Sequence, residues 1–288
     1  MNQSSGTASK DAHLRISESL AANGAQVDVL EIASGDDGAA LVEKAVREGS
    51  TGVLACGGDG TVMAAVNGII RAEGRARLAI SPMGTGNLIA LAFGIPSDPQ
   101  EAVRVALEGK TKTVDLGRCG EQVFLLGLGV GLAERFVTAV EDETKGRLGR
   151  WAYAIEVAKR LRCRTYNFVL EPPAGRPVRA SGVGIIVSNI GHLGPRVKPI
   201  PGATPDDGLL EICVLHRFSL WRALRMGWRA WRGTLAEDRA VTVYRWPSLR
   251  LACTSSLAVQ IDGDAAEGTT PVDISVVPQS LQLMVPIS

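Results

Sequence analysis

The 288-residue sequence is short of several things, and each shortage removes a class of explanation. Its longest apolar runs, such as Val123 to Leu126 and Gly182 to Val187, are broken within a few positions. None approaches the ~20 residues that a membrane-spanning helix needs, so a transmembrane anchor is excluded. The opening, Met1 to Lys10, is polar and lacks the basic segment and apolar run of an export signal, which leads to the expectation of a cytoplasmic chain. Net charge is nearly absent, with 31 Lys+Arg against 30 Asp+Glu, so no overall field recruits nucleic acid. Histidine is scarce: His13, His192 and His216 have no metal spacing, and no Gly-x-Ser-x-Gly turn presents a serine nucleophile. Cys56, Cys119, Cys163, Cys213 and Cys253 are scattered without a Cys-x-x-Cys pair, so buried thiols are expected rather than disulfides or zinc.

What the sequence does have is a change of texture near residue 116. Before it, helical and strand periods alternate. Asp11 to Ala22 reads as a helix, Gln26 to Ile32 as a strand, Asp37 to Glu48 as a helix, Val53 to Cys56 as a buried strand, Val62 to Ala72 as a helix and Arg77 to Ile80 as a strand. Such alternation predicts a doubly wound α/β nucleotide-binding domain over 1–116, with its site at the carboxyl ends of parallel strands. After it, short β-rich runs interrupted by helices at about Leu148 to Arg162 and Leu220 to Leu235 predict a β-sandwich-type domain over 117–288. A parallel sheet of this kind opens with a strand, yet Met1 to Gly6 is loop-like and runs straight into the first helix. The expectation is that an opening strand is missing.

Two strand ends carry the chemistry. Val53 to Cys56 runs into Gly57-Gly58-Asp59-Gly60-Thr61, and a helix follows at once. Glycines there turn backbone N–H groups toward one point at a helix amino terminus, which suits a phosphate, and Asp59 adds a carboxylate suited to Mg²⁺. The same residues also make a tight strand-to-helix turn in which Thr61 caps the helix. The next strand ends in Ser81-Pro82-Met83-Gly84-Thr85-Gly86-Asn87, again before a helix. Thr85 and Asn87 offer polar groups to a triphosphate or caps to that helix.

The first loop with Asn67-Gly68 downstream, and Pro82-x-Gly84-Thr85-Gly86-Asn87, resemble the diacylglycerol kinase catalytic domain, shared by bacterial soluble lipid kinases, sphingosine kinases and ceramide kinases. The resemblance continues through Asp115, Pro201-x-Ala203-x-x-Asp206-Asp207-Gly208-Leu209-Leu210, Ile261-Asp262-Gly263-Asp264 and the closing Pro278 to Pro286 segment. Asn2, Ser5 and Gly6 resemble the family's first loop, which follows its first strand. The family implies an NAD-kinase/phosphofructokinase-like first domain, to which the extreme carboxyl terminus returns, and an ATP- and Mg²⁺-dependent transfer of phosphate to a lipid hydroxyl, diacylglycerol being the default acceptor.

By the same resemblance, Asn2, Gly57, Gly58, Gly60, Thr61, Gly84, Thr85 and Asn87 line the ATP phosphates, with Asp59 acting on them through water or Mg²⁺. Asp115 is a second acid of that metal network. Asp262 is the general base toward the lipid hydroxyl, Asp264 stands where the family usually has Glu, and Asp207 with the carbonyls near Thr204 and Leu209 holds a structural Mg²⁺. Turn formation is the plain alternative for Asp207 and Asp262. The family often has Asp at the position of Leu88, so one carboxylate is lost beside the metal.

Trp221, Leu224, Trp228 and Trp231 form one helical stripe bordered by Arg222, Arg225, Arg229 and Arg232, which suits either an anionic membrane surface or a core. The membrane lipid substrate that the resemblance implies calls for a peripheral position at the inner membrane face, for which the first reading makes this helix the candidate, and a second copy of the chain stays open as a partner. A small-molecule kinase of the NAD-kinase kind, or a catalytically weak nucleotide- or lipid-binding protein, is the competing function.

Overall fold

Leu41, Val42, Ala45 and Val46 recur at helical spacing, and helix α2 (Gly38–Arg47) forms over them, burying Val42 and Val46. Asp37 starts it by accepting the N–H groups of Ala39 at 3.0 Å and Ala40 at 3.1 Å. The Ala40 amide and the Arg71 guanidinium hold the Asp37 carboxyl below its ordinary range. The structure, a computed structural model, describes residues 7–33, 36–74, 76–131, 164–191, 203–216, 225, 229, 232 and 240–287, with the side chains of 7–14 and 267 excepted.

The chain divides into two compact units, Met1–Asp115 with Leu193–Pro195 and Pro278–Ser288, and Leu116–His192 with Arg196–Val277. In the first, helix α1 (Thr7–Ala22) is followed by α2, strand β1 (Gly52–Gly57), helix α3 (Asp59–Arg71), strand β2 (Arg77–Pro82) and helices α4 (Leu88–Ala92) and α5 (Pro99–Glu108). β1 and β2 pair in parallel from Gly52 opposite Arg77 to Gly57 opposite Pro82. The second half of strand β14 (Val272–Val285) lies parallel on the other side of β2, with Leu283 opposite Leu78. α3 lies close on α2 because position 68 has no side chain: a Cβ there would stand 2.6 Å from both the Ala39 carbonyl oxygen and Val42 Cβ.

One expected element differs. Gln26 to Ile32 is extended but joins no ladder, apart from an isolated bridge at Ile32. A strand is stabilised through its neighbours, and β1 has its only described strand partner on the β2 side.

Strand β3 (Lys110–Cys119) carries the chain from the first unit into the second. There β4 (Gln122–Phe124), β5 (Gly127–Gly131), β6 (Tyr166–Glu171), β7 (Val178–Gly182), β8 (Gly184–Ser188), β9 (Leu210–Leu215), β10 (Val241–Trp246), β11 (Ser248–Cys253), β12 (Ala258–Ile261) and β13 (Asp264–Thr269) precede β14. One sheet runs β10-β9-β8-β5-β12-β13, antiparallel throughout. The other places β11 between β6 and the first half of β14, with β7 beyond β6. Val130, Val187 and Ile212 from one sheet meet Phe124, Leu170 and Leu251 from the other in a single buried core, which makes the unit a sandwich. The Gly127-x-Gly129-x-Gly131 run is β5 itself, and a Cβ at Gly127 would meet the Val187 carbonyl oxygen at 2.6 Å.

Burial raises the Cys56 thiol to about 11 and the Cys213 thiol to about 12, whereas Cys119 and Cys253 are only half-buried. The helix expected at Leu148 to Arg162 and most of that at Leu220 to Leu235 lie outside the described residues.

Candidate functional site

β1 and β2 are adjacent and parallel, so the loops at their carboxyl ends emerge side by side. They touch through bare backbone: a Cβ built on Gly84 would lie 2.6 Å from Gly58 Cα. Gly57 is bare for a related reason, since a Cβ there would strike the Thr61 side chain. α3 opens directly after Gly58 with no side-chain cap, which leaves the first-turn amides of Gly60 and Thr61 without intrahelical partners at the positive end of the helix. Such an end, roofed by a second glycine loop, is suited to a phosphate.

Asp59 ties the two loops together. Its Oδ2 accepts the N–H of Leu88 at 2.9 Å and its Oδ1 that of Ile89 at 3.0 Å, anchoring the start of α4. Each carboxylate oxygen has a further lone pair, so the half-buried group fits a cation or a water while holding α4. Asn87 closes its own loop in a left-handed conformation, with φ 49°. Its Oδ1 accepts the Gly84 N–H at 2.9 Å and its Nδ2 donates to the Gly84 carbonyl at 2.7 Å. Gly84 and Thr85 are exposed on the rim, as is Gly60 across from them. Leu88 contributes its amide, and its side chain is 42% exposed. Asn2 lies outside the described residues.

Asp115 is buried in β3 at 1% exposure, where its Oδ1 accepts the amide of left-handed Gln279 at 2.7 Å. Among the described residues no three acidic, thiol or imidazole groups converge as a metal site.

In the second unit, Asp262 occupies the β12–β13 turn at φ 49°. Its Oδ2 accepts the Leu125 amide at 2.7 Å, and its Oδ1 accepts those of Leu126 at 2.9 Å and Gly127 at 2.8 Å. The carboxylate thus fixes the chain between β4 and β5, more than a hundred residues earlier in sequence, a role no local pattern discloses. Asp264 begins β13 and is exposed.

The Thr204, Asp207 and Leu209 corner is held by a residue that the sequence reading missed. Asp207 Oδ1 accepts the Leu209 amide at 3.0 Å, and its Oδ2 accepts Thr204 Oγ1 at 3.2 Å and Arg245 Nη2 at 2.6 Å. Arg245 Nε also donates to Glu211 Oε1 at 2.9 Å, and Glu211 is 1% exposed. Burial raises the Glu211 carboxyl to about 7 against the pull of Arg245. Among the described residues its Oε2 has no hydrogen-bond partner. With the Arg245 guanidinium on its Oδ2, the Asp207 carboxylate already has a cation of its own in this arrangement. An acid inside the apolar run Leu210-Glu211-Ile212-Cys213-Val214-Leu215 was the available clue that a basic partner exists.

Comparison with known proteins places the chain in a lineage. The family described as "Diacylglycerol kinase catalytic domain" matches residues 1–119, and "YegS C-terminal NAD kinase beta sandwich-like domain" matches residues 130–285. A diacylglycerol kinase of Mycobacterium tuberculosis is 31% identical over 270 residues, covering 90% of this chain and 85% of that protein. A candidate diacylglycerol kinase structure from Bacillus anthracis str. Sterne shares the fold at TM-score 0.78 and 22% identity, over 99% of this chain and 95% of the other. An NAD kinase from Archaeoglobus fulgidus in complex with ATP shares it more distantly, at TM-score 0.55 and 14% identity over 98% and 91%. With both of its halves matched in order and a relative similar along nearly its whole length, the chain belongs to the diacylglycerol kinase family of lipid kinases.

Proposed function

We propose that the chain transfers the γ-phosphate of ATP to the hydroxyl of a membrane lipid, with diacylglycerol as acceptor. The observation that carries this reading is the backbone contact between Gly58 and Gly84 over the open start of α3, with Asp59 of the first loop bound to the Leu88 and Ile89 amides that follow the second. Phosphoryl transfer asks chiefly for positioning and charge neutralisation. The amides of Gly60 and Thr61 bind phosphate oxygens, and the bare glycines let the backbone approach them. Asp59 is the residue to hold Mg²⁺, which when bound neutralises charge on the transferring group. Asp262 and Asp264 form the acceptor end, with the lipid-hydroxyl proton assigned to one of them. The lipid substrate calls for reversible attachment to a membrane, and the tryptophan stripe of residues 221–231, outside the described residues, supplies a candidate surface by its sequence pattern.

The test is turnover of ATP and Mg²⁺ with diacylglycerol, sphingosine-type lipids and NAD offered separately, the lipids in mixed micelles. Phosphorylated diacylglycerol is the expected product, and Asp59→Asn is expected to lower its formation by ~10²-fold or more. Phosphorylation of NAD alone, or no turnover with any acceptor, would overturn the reading.

A further inference from the structure

Leu125, Leu126 and Gly127 lead from β4 into β5, and every backbone polar group of the three is taken within the second unit. Their N–H groups all go to the Asp262 carboxylate, at 2.7, 2.9 and 2.8 Å in chain order. Their carbonyls accept from two directions. Leu125 O accepts Asn189 Nδ2 at 3.0 Å and Leu126 O the Asn189 N–H at 3.0 Å, while Gly127 O takes the Asp262 N–H at 2.9 Å. Asn189 follows directly on β8 and is fully buried. A carbonyl oxygen only accepts, so the nitrogen of the Asn189 amide is the atom that faces Leu125.

Peptide geometry turns these contacts into a linkage. A trans peptide unit is planar, with its C=O and N–H pointing opposite ways. The Leu125 carbonyl and the Leu126 N–H share one unit, and the Leu126 carbonyl and the Gly127 N–H share the next. Each unit is therefore gripped at both ends, by Asn189 through its oxygen and by Asp262 through its hydrogen. Rotating either plane breaks a hydrogen bond on both sides at once, and bonds in such a chain polarise one another.

Ser188 supplies the contrast. Its Oγ lies 3.3 Å from Leu126 O but 2.8 Å from Ile190 O, and a hydroxyl has one hydrogen to give, which serves the nearer oxygen. It is buried beside the arch of Leu125 to Gly127 without holding it.

We propose that Asn189 is a positioning residue for Asp262: through two peptide units it fixes where the Asp262 carboxylate points toward the acceptor hydroxyl. This deepens the phosphoryl-transfer reading above, rests on it, and commits the proton to Asp262. In that step the hydroxyl proton passes to the Asp262 carboxylate as the lipid oxygen bonds the γ-phosphorus and the bond from phosphorus to the ADP oxygen breaks. Alignment of the accepting group is what such a transfer needs, and small displacements cost rate steeply.

The test pairs turnover with residue-resolved amide hydrogen exchange on the full chain. In Asn189→Ala the Leu126 amide is expected to exchange at least ~10-fold faster, while that of Leu170 in the same core keeps its rate. With ATP, Mg²⁺ and diacylglycerol in mixed micelles, kcat per folded molecule is expected to fall ~10-fold, with KM for ATP within ~2-fold. Ser188→Ala also removes a buried hydrogen bond, yet should change neither the Leu126 exchange nor kcat. Asp262→Asn should absorb the effect, so that adding Asn189→Ala to it lowers kcat no further. If Asn189→Ala does not fold, Asn189→Ser keeps a donor on a shorter arm and gives the same comparison at smaller amplitude. Unchanged exchange at Leu126 would overturn the proposal, as would an undiminished kcat, an equal loss in Ser188→Ala, or losses that multiply in the double variant. Absence of turnover in the unsubstituted chain would sink the proposed reaction instead, and the exchange rates alone would then decide whether Asn189 sets Asp262.

Discussion

Asp262 and Asp264 are two residues apart, yet their surroundings separate their roles. Asp262 accepts three backbone amides, whereas Asp264 is exposed at the head of β13. Asp262→Asn turns an amide donor toward at least one of those N–H groups, so a stability loss of ~1–3 kcal/mol is expected in chemical denaturation. Asp264→Asn should leave the denaturation midpoint unchanged and lower kcat if it takes the hydroxyl proton. If Asp262 takes it, kcat falls in Asp262→Asn beyond what its folded fraction explains. Arg245 provides a second residue-scale expectation. Arg245→Met leaves the 1%-exposed Glu211 and the Asp207 carboxylate without their cation, and ~1–3 kcal/mol of stability should be lost, discounted for the half-exposed arginine. The unsubstituted chain should melt at one temperature in EDTA and in Mg²⁺ when ATP is absent. A melt that rises with Mg²⁺ and is blunted in Asp207→Asn would show that a metal displaces the guanidinium. At this scale the sequence exposed Asp59 and the glycines, because local turn chemistry marks them. It concealed Arg245 and the Asp262 clasp, because their partners are 34 or more residues away.

At the scale of elements, α3 joins the site to the fold. Its first turn faces the two glycine loops, and its last two turns press on α2 through Gly68. Gly68→Ala places a methyl 2.6 Å from the Ala39 carbonyl oxygen and from Val42 Cβ, so α2 must withdraw. Overpacking of this kind is expected to cost ~1–3 kcal/mol in urea denaturation, although alanine has the higher helix propensity. A neutral or stabilising Gly68→Ala would mean that the two helices have room to shift. Helical and strand periods made α2, α3, β1 and β2 legible from the sequence, each within a few residues of its bounds. α5 went unread despite Asp98 and Pro99 at its start, and so did β13, whose Asp264 to Thr269 run holds small and charged residues rather than alternating apolar ones. Gln26 to Ile32 was legible as extended chain, but pairing is a property of two segments and cannot be read from one.

For the whole molecule, the change of texture near residue 116 was visible because buried parallel strands with covering helices and half-exposed antiparallel strands leave different patterns. The shared ownership of β14 is less visible, since one uninterrupted strand serves antiparallel β11 with its first half and parallel β2 with its second. A gene fragment ending at Asp115 would leave β2 at an edge and remove the cover of Leu78 by Leu283. Such a fragment is expected to lack a cooperative thermal transition, and a fragment of 116–277 would carry a β14 cut at its middle. Circular dichroism melts of both, alone and mixed, would test this; a cooperative transition in the 1–115 fragment alone would count against it. The consequence reaches into how such a protein changes over time. Two halves that lie end to end on a gene can be exchanged by a single recombination, but a strand that belongs to both would leave part of its pairing behind in such an exchange. Descent of the two halves as a pair is the expectation that the shared β14 carries.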